Sequence, residues 1–345
     1  MNISKLVRKN VLSLQPYSSA RDEYKDATSN MIFLDANENP FENGSNRYPD
    51  PQQTDVKIRL SELNNIPIEN ILLGNGSDEV LDLIFRVFCE PNEDNIITLP
   101  PTYGMYSVLA NINAVENRKV LLNDNFQLNV DEILEQVDAN SKLIFLCTPN
   151  NPTGNSFTQE SIEILLTKFN GIVVIDEAYI DFSENESWLK VLHKYPNLIV
   201  IQTLSKAFGM AGIRLGISYA SKEIISVLNK IKPPYNVNNL TQAKALVRLN
   251  KMEEVNNEIN QLKSERKRLY QQIEKISFVE KVYPSDANFI LIKVDDATKR
   301  YNQLIDLGLV IRNRTNQPLC DNCLRISVGI LEENSRLIRA LKIIK

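Results

Sequence analysis

Polar residues with reactive side chains follow three apolar runs in the middle of the chain. The run at 142–147 leads into the segment TPNNPTG, which contains Asn151. The run at 171–176 ends in Asp176, and Tyr179 comes three residues later. The run at 197–203 continues directly into Leu204-Ser205-Lys206. A lysine, a carboxylate, an amide and a phenol are therefore expected to lie at neighbouring strand ends.

These residue types match the needs of pyridoxal phosphate chemistry. A lysine that is desolvated beside other positive groups can lose its proton and form a Schiff base with an aldehyde cofactor. Pyridoxal phosphate serves as an electron sink when a carboxylate keeps its ring nitrogen protonated. We expect Lys206 and Asp176 to fill these two roles. Asn151 and Tyr179 are expected to hydrogen-bond the phenolic oxygen, and Tyr103 to cover the ring face.

The cofactor phosphate needs amide and cationic donors. Residues 71–85 have the pattern of a strand, a glycine turn and a helix start. The backbone amides of Ser77 and Asp78 at this helix N-terminus, together with Ser205 and Arg214, are expected to supply the donors. Each residue alone has a plain structural explanation, such as a helix cap for Asp176 or a surface position for Lys206. The combination indicates a cofactor site.

The elements that must position these residues form an α/β pattern. Short runs rich in Ile and Val occur at 95–99, 142–147, 171–176 and 197–203, as expected for parallel strands buried on both faces. An amphipathic stretch at 158–169 begins with a threonine cap. Ligands of such sheets bind at the carboxyl ends of the strands, where the polar residues lie.

The chain is expected to divide into three parts. After Pro233-Pro234 a long charged helical stretch at 252–276 leads into apolar runs at 288–294 and 324–329. We expect an N-terminal arm at 1–30, a large cofactor-binding domain at 31–240 and a small α+β domain at 241–345. The arm is expected to pack against the small domain or a partner subunit.

Composition excludes several classes of function. The 345 residues carry a net charge of −4 with both signs interspersed, so no surface for nucleic acid or membrane is expected. The single histidine, His193, is expected on the surface of a helix. Because Ser-His-Asp hydrolases need a histidine at the nucleophile and most zinc hydrolases need two or more, both classes are disfavoured. Cys320 and Cys323 have CxxC spacing, which we interpret as two incidental thiols in a loop. The start of the chain lacks the apolar run of a secretory signal, so a reduced, cytoplasmic protein without a metal is expected.

The motifs resemble a known family. TPNNPTG (148–154), IDEAY (175–179) and TLSKAFGMAGIRLG (203–216) are similar to the fold-type I aminotransferases in order and spacing. The similarity covers nearly the whole chain, because further segments resemble the histidinol-phosphate aminotransferases of histidine biosynthesis. These are LDANENP (34–40), RYPD (47–50), GNGSDE (74–79), PPTYGMYS (100–107) and LRISVG (324–329).

The resemblance implies further properties. It implies a homodimer with the active site at the subunit interface, where Tyr48 reaches the cofactor phosphate of the other subunit. It gives Lys206 the role of proton shuttle, and Arg325 and Arg312 that of binding the substrate anion. Tyr17 corresponds to a tyrosine near the substrate. A physical argument also supports Arg325, because an arginine in an apolar strand needs an anion, whereas Arg312 is expected in a polar loop.

The implied reaction transfers an amino group from L-histidinol phosphate to 2-oxoglutarate, giving imidazole acetol phosphate and L-glutamate. Two arginines suit both half-reactions, because a guanidinium group can bind either a phosphate or a carboxylate. The alternatives are an aromatic amino-acid aminotransferase, an enzyme similar to threonine-phosphate decarboxylases, and a catalytically silent binding protein. The complete set of Lys206, Asp176, Asn151 and Tyr179 argues against the silent protein.

Overall fold

The computed structural model describes residues 2–16 and 32–344, which fold around two β-sheets. The helices are α1 (Lys9–Ser13), α2 (Thr54–Asn64), α3 (Ser77–Phe88), α4 (Met105–Ile112), α5 (Val130–Glu135), α6 (Gln159–Lys168), α7 (Lys222–Ile231), α8 (Asn239–Leu249), α9 (Met252–Ile273), α10 (Ala297–Asp306) and α11 (Leu331–Ile343). The strands are β1 (Ile71–Asn75), β2 (Asn95–Thr98), β3 (Glu116–Lys119), β4 (Ser141–Cys147), β5 (Ile172–Asp176), β6 (Leu198–Thr203), β7 (Leu215–Ala220), β8 (Val279–Val282), β9 (Phe289–Val294), β10 (Arg312–Asn313) and β11 (Cys323–Ser327).

The larger sheet has seven strands in the order β1-β7-β6-β5-β4-β2-β3. Strands β2 to β6 are parallel to one another, and β7 is antiparallel to both β6 and β1. The four apolar runs of the sequence correspond to β2, β4, β5 and β6 within one residue at either end. The expected fold class, a mostly parallel sheet covered by helices beside a smaller domain, is confirmed.

Helices cover both faces of this sheet because successive strand residues point to opposite sides. In β5, Val173 and Ile175 belong to one apolar core, and Ile172 and Val174 belong to the other. Helix α6 starts at the predicted cap, where Thr158 accepts a hydrogen bond from the Ser161 N–H. The strands are thereby held rigidly, and their carboxyl ends form one fixed edge.

The smaller domain has a four-stranded antiparallel sheet in the order β10-β11-β9-β8. Its own apolar core joins β9 and β11 to α10, α11 and the second half of α9. Helix α8 instead packs on α2 of the larger domain, and Val255 and Ile259 of α9 pack with Tyr179 and Phe182. Helix α8 and the first half of α9 therefore contact the larger domain, and the division of the chain at residue 240 stays a prediction.

The described part of the N-terminal segment packs on the larger domain. Ile3, Val7 and Val11 are buried in the same core as α3 and α7. The Arg8 N–H donates to the Val87 carbonyl at 2.9 Å, and Lys230 Nζ donates to the Leu12 carbonyl at 2.8 Å. Residues 2–16 therefore do not pack on the smaller domain as one of the two expectations had it, and contact of the arm with a partner subunit stays a prediction.

Two interpretations of minor residues have different outcomes. His193 is exposed on the 3-10 helix Trp188–Lys194, as predicted. Cys320 lies in a loop, as predicted, whereas the loop placement of Cys323 is wrong because this residue begins β11; both thiols are free and buried in the apolar core. No helix in residues 2–16 and 32–344 has the length and apolar character needed to cross a bilayer.

Candidate active site

A cavity of about 550 Å³ lies at the carboxyl ends of β4, β5 and β6 and faces β10 and β11 of the smaller domain. Most of the residues that the sequence analysis selected line it together. They are Ser77, Asp78, Tyr103, Asn151, Asp176, Tyr179, Ser205, Lys206, Arg214, Arg312 and Arg325.

Tyr48, another of the selected residues, does not line this cavity. Tyr48 is about half exposed and stacks on Tyr235 with ring centroids 4.5 Å apart. It borders a separate cavity with Asn37, Arg47 and Asn238. Tyr17 lies outside the described residues. The role of Tyr48 at the site of a second subunit stays a prediction.

Lys206 is presented to the cavity by the turn that follows β6. The Leu204 N–H donates to the Leu215 carbonyl at 3.1 Å, and Gly209 closes the turn on the Lys206 carbonyl. Lys206 Nζ lies 5.6 Å from the centroid of the Tyr179 ring. Desolvation by the surrounding protein, followed by the charge of Arg325, lowers the pKa of Lys206, while Asp176 acts in the opposite direction. The neutral amine needed for nucleophilic and proton-transfer chemistry is therefore favoured.

Asp176 is a buried carboxylate at the last position of β5. Tyr106 Oη donates to its Oδ2 at 2.8 Å, and the Ala178 N–H donates to its Oδ1 at 3.1 Å. Burial raises the pKa of Asp176, and the Tyr106 hydrogen bond opposes that shift. Asp176 also borders the cavity. A positively charged ring nitrogen bound there would therefore stabilise the carboxylate charge that burial disfavours.

The sequence analysis did not assign a role to Tyr106, although its position contained a signal. Tyr106 lies in the first turn of α4, three residues after Tyr103, which precedes the helix. The two rings meet edge to face at 5.6 Å, and Tyr106 stacks on Phe145 of β4. Tyr106 thus holds Asp176 by a hydrogen bond without lining the cavity, whereas Tyr103 lines it.

Replacement Tyr106→Phe is expected to lower kcat about tenfold, because a hydrogen bond to a charged group is lost. The hydrogen bond lowers the pKa of Asp176, so its removal raises that pKa further and shifts the acid limb of the kcat profile to higher pH. A pH profile of the wild type and the variant measures the shift. Tyr270→Phe, which removes a hydroxyl bonded to the Val282 carbonyl in the smaller domain, is the control, and an equal shift there would contradict the prediction.

Asn151 connects the two domains at the cavity. Its Nδ2 donates to Tyr179 Oη at 3.3 Å, and Arg325 Nη1 donates to its Oδ1. The neighbouring Asn150 is buried and holds the loop by donating to the Pro101 carbonyl and to Thr153 Oγ1. Asn151 and Tyr179 are therefore held side by side, in the arrangement expected of two donors to one oxygen atom.

The turn between β1 and α3 forms a cup for an anion. Gly76 has a φ of +81°, and its N–H donates to the carbonyl of Arg214, itself in the left-handed region at φ 54°. A Cβ added at Gly76 would lie 2.6 Å from Arg214 Nη2, and one at Gly216 would lie 2.3 Å from the Ser77 nitrogen. The start of α3, with the Ser77 and Asp78 backbone, is thus packed closely against the Arg214 guanidinium. Helix N-termini with an adjacent guanidinium bind phosphate groups.

These residues fit pyridoxal phosphate, the cofactor that the family resemblance implies. The cup of Ser77, Asp78, Ser205 and Arg214 would hold the phosphate, and Asp176 would hold the ring nitrogen. Asn151 and Tyr179 would hold the phenolic oxygen, Tyr103 would cover the ring, and Lys206 would bind the aldehyde carbon. The Tyr103 hydroxyl is itself anchored by donating to Asp78 Oδ1 at 3.1 Å.

Replacement Gly76→Ala is expected to weaken cofactor retention at least about tenfold, because the new methyl group displaces Arg214 from the cup. The positive φ adds a backbone cost of about 1–3 kcal/mol. Equilibrium dialysis of the cofactor and thermal unfolding measure the two effects. Gly212→Ala is the matched control, since no heavy atom lies within 4 Å of a Cβ there. Equal retention by the two variants would contradict the proposed cup.

Arg312 and Arg325 lie directly opposite each other in the smaller sheet. The expectation that Arg312 lies in a loop is wrong, because it is paired in β10 with β11. Arg325 is half-buried over the Phe289 ring at 5.2 Å, and its Nε is buried without a hydrogen-bond partner in the described chain. Burial lowers the pKa of Arg325, and Arg312 adds to the shift. The two side chains start from the same face of the sheet, where an anion would offset their like charges.

Comparison with known proteins identifies the family of the chain. Residues 21–341 match the family model of aminotransferase class I and II. The chain is 65% identical over 344 residues to a histidinol-phosphate aminotransferase of Flavobacterium johnsoniae, covering 99% of each chain. The crystal structure of the histidinol-phosphate aminotransferase from Clostridium acetobutylicum has a TM-score of 0.79 at 26% identity and covers 86% of this chain and 90% of its own.

A third similar protein was solved with its cofactor. The histidinol-phosphate aminotransferase from Sinorhizobium meliloti, in complex with pyridoxal-5'-phosphate, has a TM-score of 0.78 at 24% identity and covers 86% of this chain and 82% of its own. The family match spans most of the sequence and includes every cavity residue named above. The chain therefore belongs to the aminotransferase class I and II family.

Proposed function

We propose that this chain is an aminotransferase that moves an amino group between L-histidinol phosphate and 2-oxoglutarate in histidine biosynthesis. The products are imidazole acetol phosphate and L-glutamate, formed in two ping-pong stages on pyridoxal phosphate. One observation carries the proposal: Lys206 and Asp176 share a cavity with the paired Arg312 and Arg325 of the smaller domain. The 65% identity to a protein named histidinol-phosphate aminotransferase supports this choice of substrate.

The chain's own residues prepare the reaction in the larger domain. When bound, pyridoxal phosphate supplies an electron sink for the bonding electrons of the substrate α-carbon. With the cofactor bound, Lys206 Nζ would accept the proton of that carbon and carry it within the site, since its surroundings lower the pKa of the amine. Asp176 keeps the ring nitrogen protonated, and Tyr106 keeps Asp176 in place.

The smaller domain binds the far end of both substrates. Histidinol phosphate carries a phosphate and lacks an α-carboxylate, whereas glutamate and 2-oxoglutarate carry two carboxylates. The guanidinium groups of Arg325 and Arg312 can donate hydrogen bonds to either kind of anion. The Arg325 contact with Asn151 positions this anion site relative to the cofactor residues, so both substrates place their reacting carbon near Lys206.

We also propose that the active protein is a homodimer in which Tyr48 completes the partner's cofactor site. Large apolar side chains around this segment are exposed in the single chain, including Leu34, Phe41 and Leu240 at 86%, 79% and 69%. Exposed apolar groups of this kind are typical of protein interfaces.

Tyr17 is proposed to reach the substrate. A cytoplasmic location is proposed because the four cysteines are free thiols.

Single-turnover absorbance tests the proposed reaction. Purified protein loaded with cofactor is mixed separately with histidinol phosphate, glutamate, phenylalanine and threonine phosphate, and the cofactor absorbance is followed. We expect fast conversion by histidinol phosphate and glutamate and reversal by 2-oxoglutarate. Conversion by phenylalanine but not by histidinol phosphate would assign the chain to the aromatic aminotransferases. Release of carbon dioxide from threonine phosphate would assign it to the decarboxylases.

A further inference from the structure

A third arginine lies beside the pair that binds the substrate anion. Arg314 follows Arg312 by two residues, and its N–H continues the pairing of β10 with β11 by donating to the Cys323 carbonyl at 2.8 Å. Residues two apart in an extended strand project to the same face of a sheet. Arg312 and Arg314 therefore share one face with Arg325, which is opposite Arg312, and all three line the Lys206 cavity.

The Arg314 side chain has no protein partner in the described part of the chain. Its Nε is buried and makes no hydrogen bond, and no ion pair joins its guanidinium to a carboxylate. Burial, and then the charges of Arg325 and Arg312, lower the pKa of Arg314 to about 10. A half-buried guanidinium next to two others costs free energy unless a negatively charged group lies against it.

The acidic residues of the cavity are occupied elsewhere. Five basic and two acidic side chains line it: Lys206, Arg214, Arg312, Arg314, Arg325, Asp78 and Asp176. Asp78 accepts from Tyr103 and lies 3.8 Å from Arg214, and Asp176 accepts from Tyr106. All three contacts are with residues of the larger domain, so the three arginines of the smaller sheet are left to an anion from solution.

We propose that Arg314 is a specificity residue that selects a phosphate monoester over a carboxylate at the far end of the substrate. This inference rests on the proposed function and deepens it. A carboxylate has two oxygens and one negative charge, which one guanidinium fork satisfies. A phosphate monoester has three acceptor oxygens and a charge of about −1.5 to −2 at pH 7, so it matches three guanidinium groups. Arg314 stays without a full partner when glutamate is bound.

Three variants test the role of Arg314. Arg314→Gln removes the charge, Arg314→Lys keeps the charge without the fork, and Arg339→Gln removes an exposed arginine of α11 as a matched control. For Arg314→Gln, we expect kcat/KM for histidinol phosphate to fall about 10- to 100-fold and that for glutamate to fall less than about 3-fold. Arg314→Lys should recover part of the loss, and Arg339→Gln should match the wild type. Thermal unfolding and cofactor absorbance establish that each variant is folded and loaded.

Direct binding of inorganic phosphate separates this inference from the proposed reaction. Calorimetry on the cofactor-loaded protein, whose own phosphate cup is filled, should show phosphate binding that Arg314→Gln weakens at least about tenfold. If the wild type does not react with histidinol phosphate, the proposed function fails while this binding difference still supports the anion site. Equal losses for histidinol phosphate and glutamate, or unchanged phosphate binding in Arg314→Gln, would overturn the role of Arg314.

Discussion

Lys206→Ala is expected to abolish nearly all amino transfer, with kcat lower by about 10⁴-fold. The amine of Lys206 is the only lysine nitrogen among the described residues that line the cavity, so no neighbouring group can replace it as proton carrier. Desolvation, and then the charge of Arg325, lower the pKa of Lys206, which favours the neutral amine that accepts a proton. Steady-state kinetics and single-turnover absorbance with histidinol phosphate measure the loss.

The control for this variant separates lost chemistry from lost cofactor. The cup of Ser77, Ser205 and Arg214 does not depend on the lysine amine, so Lys206→Ala is expected to retain cofactor after dialysis. Lys222→Ala, an exposed lysine at the start of α7, should behave as the wild type. A Lys206→Ala protein that keeps more than about a hundredth of wild-type kcat while loaded would rule out the assigned proton transfer.

Asp176→Asn is expected to lower kcat by about 10³-fold, the order of magnitude found when a preorganised electrostatic contact is removed. An amide of the same size cannot keep the ring nitrogen protonated. Kinetics of the loaded variant measure this effect. Asp181→Asn, a carboxylate after β5 that does not line the cavity, is the control. Near wild-type kcat in Asp176→Asn would contradict the role of Asp176 at the ring nitrogen.

The same replacement is expected to stabilise the protein when the cofactor has been removed. Burial raises the pKa of Asp176 above its unfolded value, so the native state binds more protons and loses stability as the pH rises above about 4. The amide side chain of the Asp176→Asn variant does not titrate. The melting temperature of the cofactor-free variant should therefore exceed that of the wild type at neutral pH, and the difference should shrink toward pH 4. A constant difference across this range would show that the Asp176 charge is not the cause.

Much of the larger domain could be predicted because its strands are continuous apolar runs. β4, β5 and β6 stand out in the sequence since both of their faces are buried. β3 has the polar sequence ENRK and lies at the sheet edge, so no hydrophobic pattern marks it. The antiparallel direction of β7 was also not predicted, because burial on two faces gives the same pattern in either direction.

The site could be predicted where strand ends bring residues together, and less well where pairing across strands does so. Lys206, Asp176, Asn151 and Tyr179 lie next to apolar runs, so the position of one sheet edge locates them all. The sequence does not reveal the strand at Arg312, because a strand of two residues has no periodicity. The pairing of β10 with β11 is needed to show that Arg314, two residues after Arg312, projects from the same face of the sheet.

The division of the cavity between two sheets has a consequence for engineering. The residues proposed to hold the cofactor come from chain positions before 215, whereas the three guanidinium groups come from one short hairpin between residues 312 and 325. This hairpin can therefore be replaced as a unit. Grafting a hairpin with other side chains onto β9 would change the substrate accepted while the catalytic apparatus of the larger sheet is kept intact.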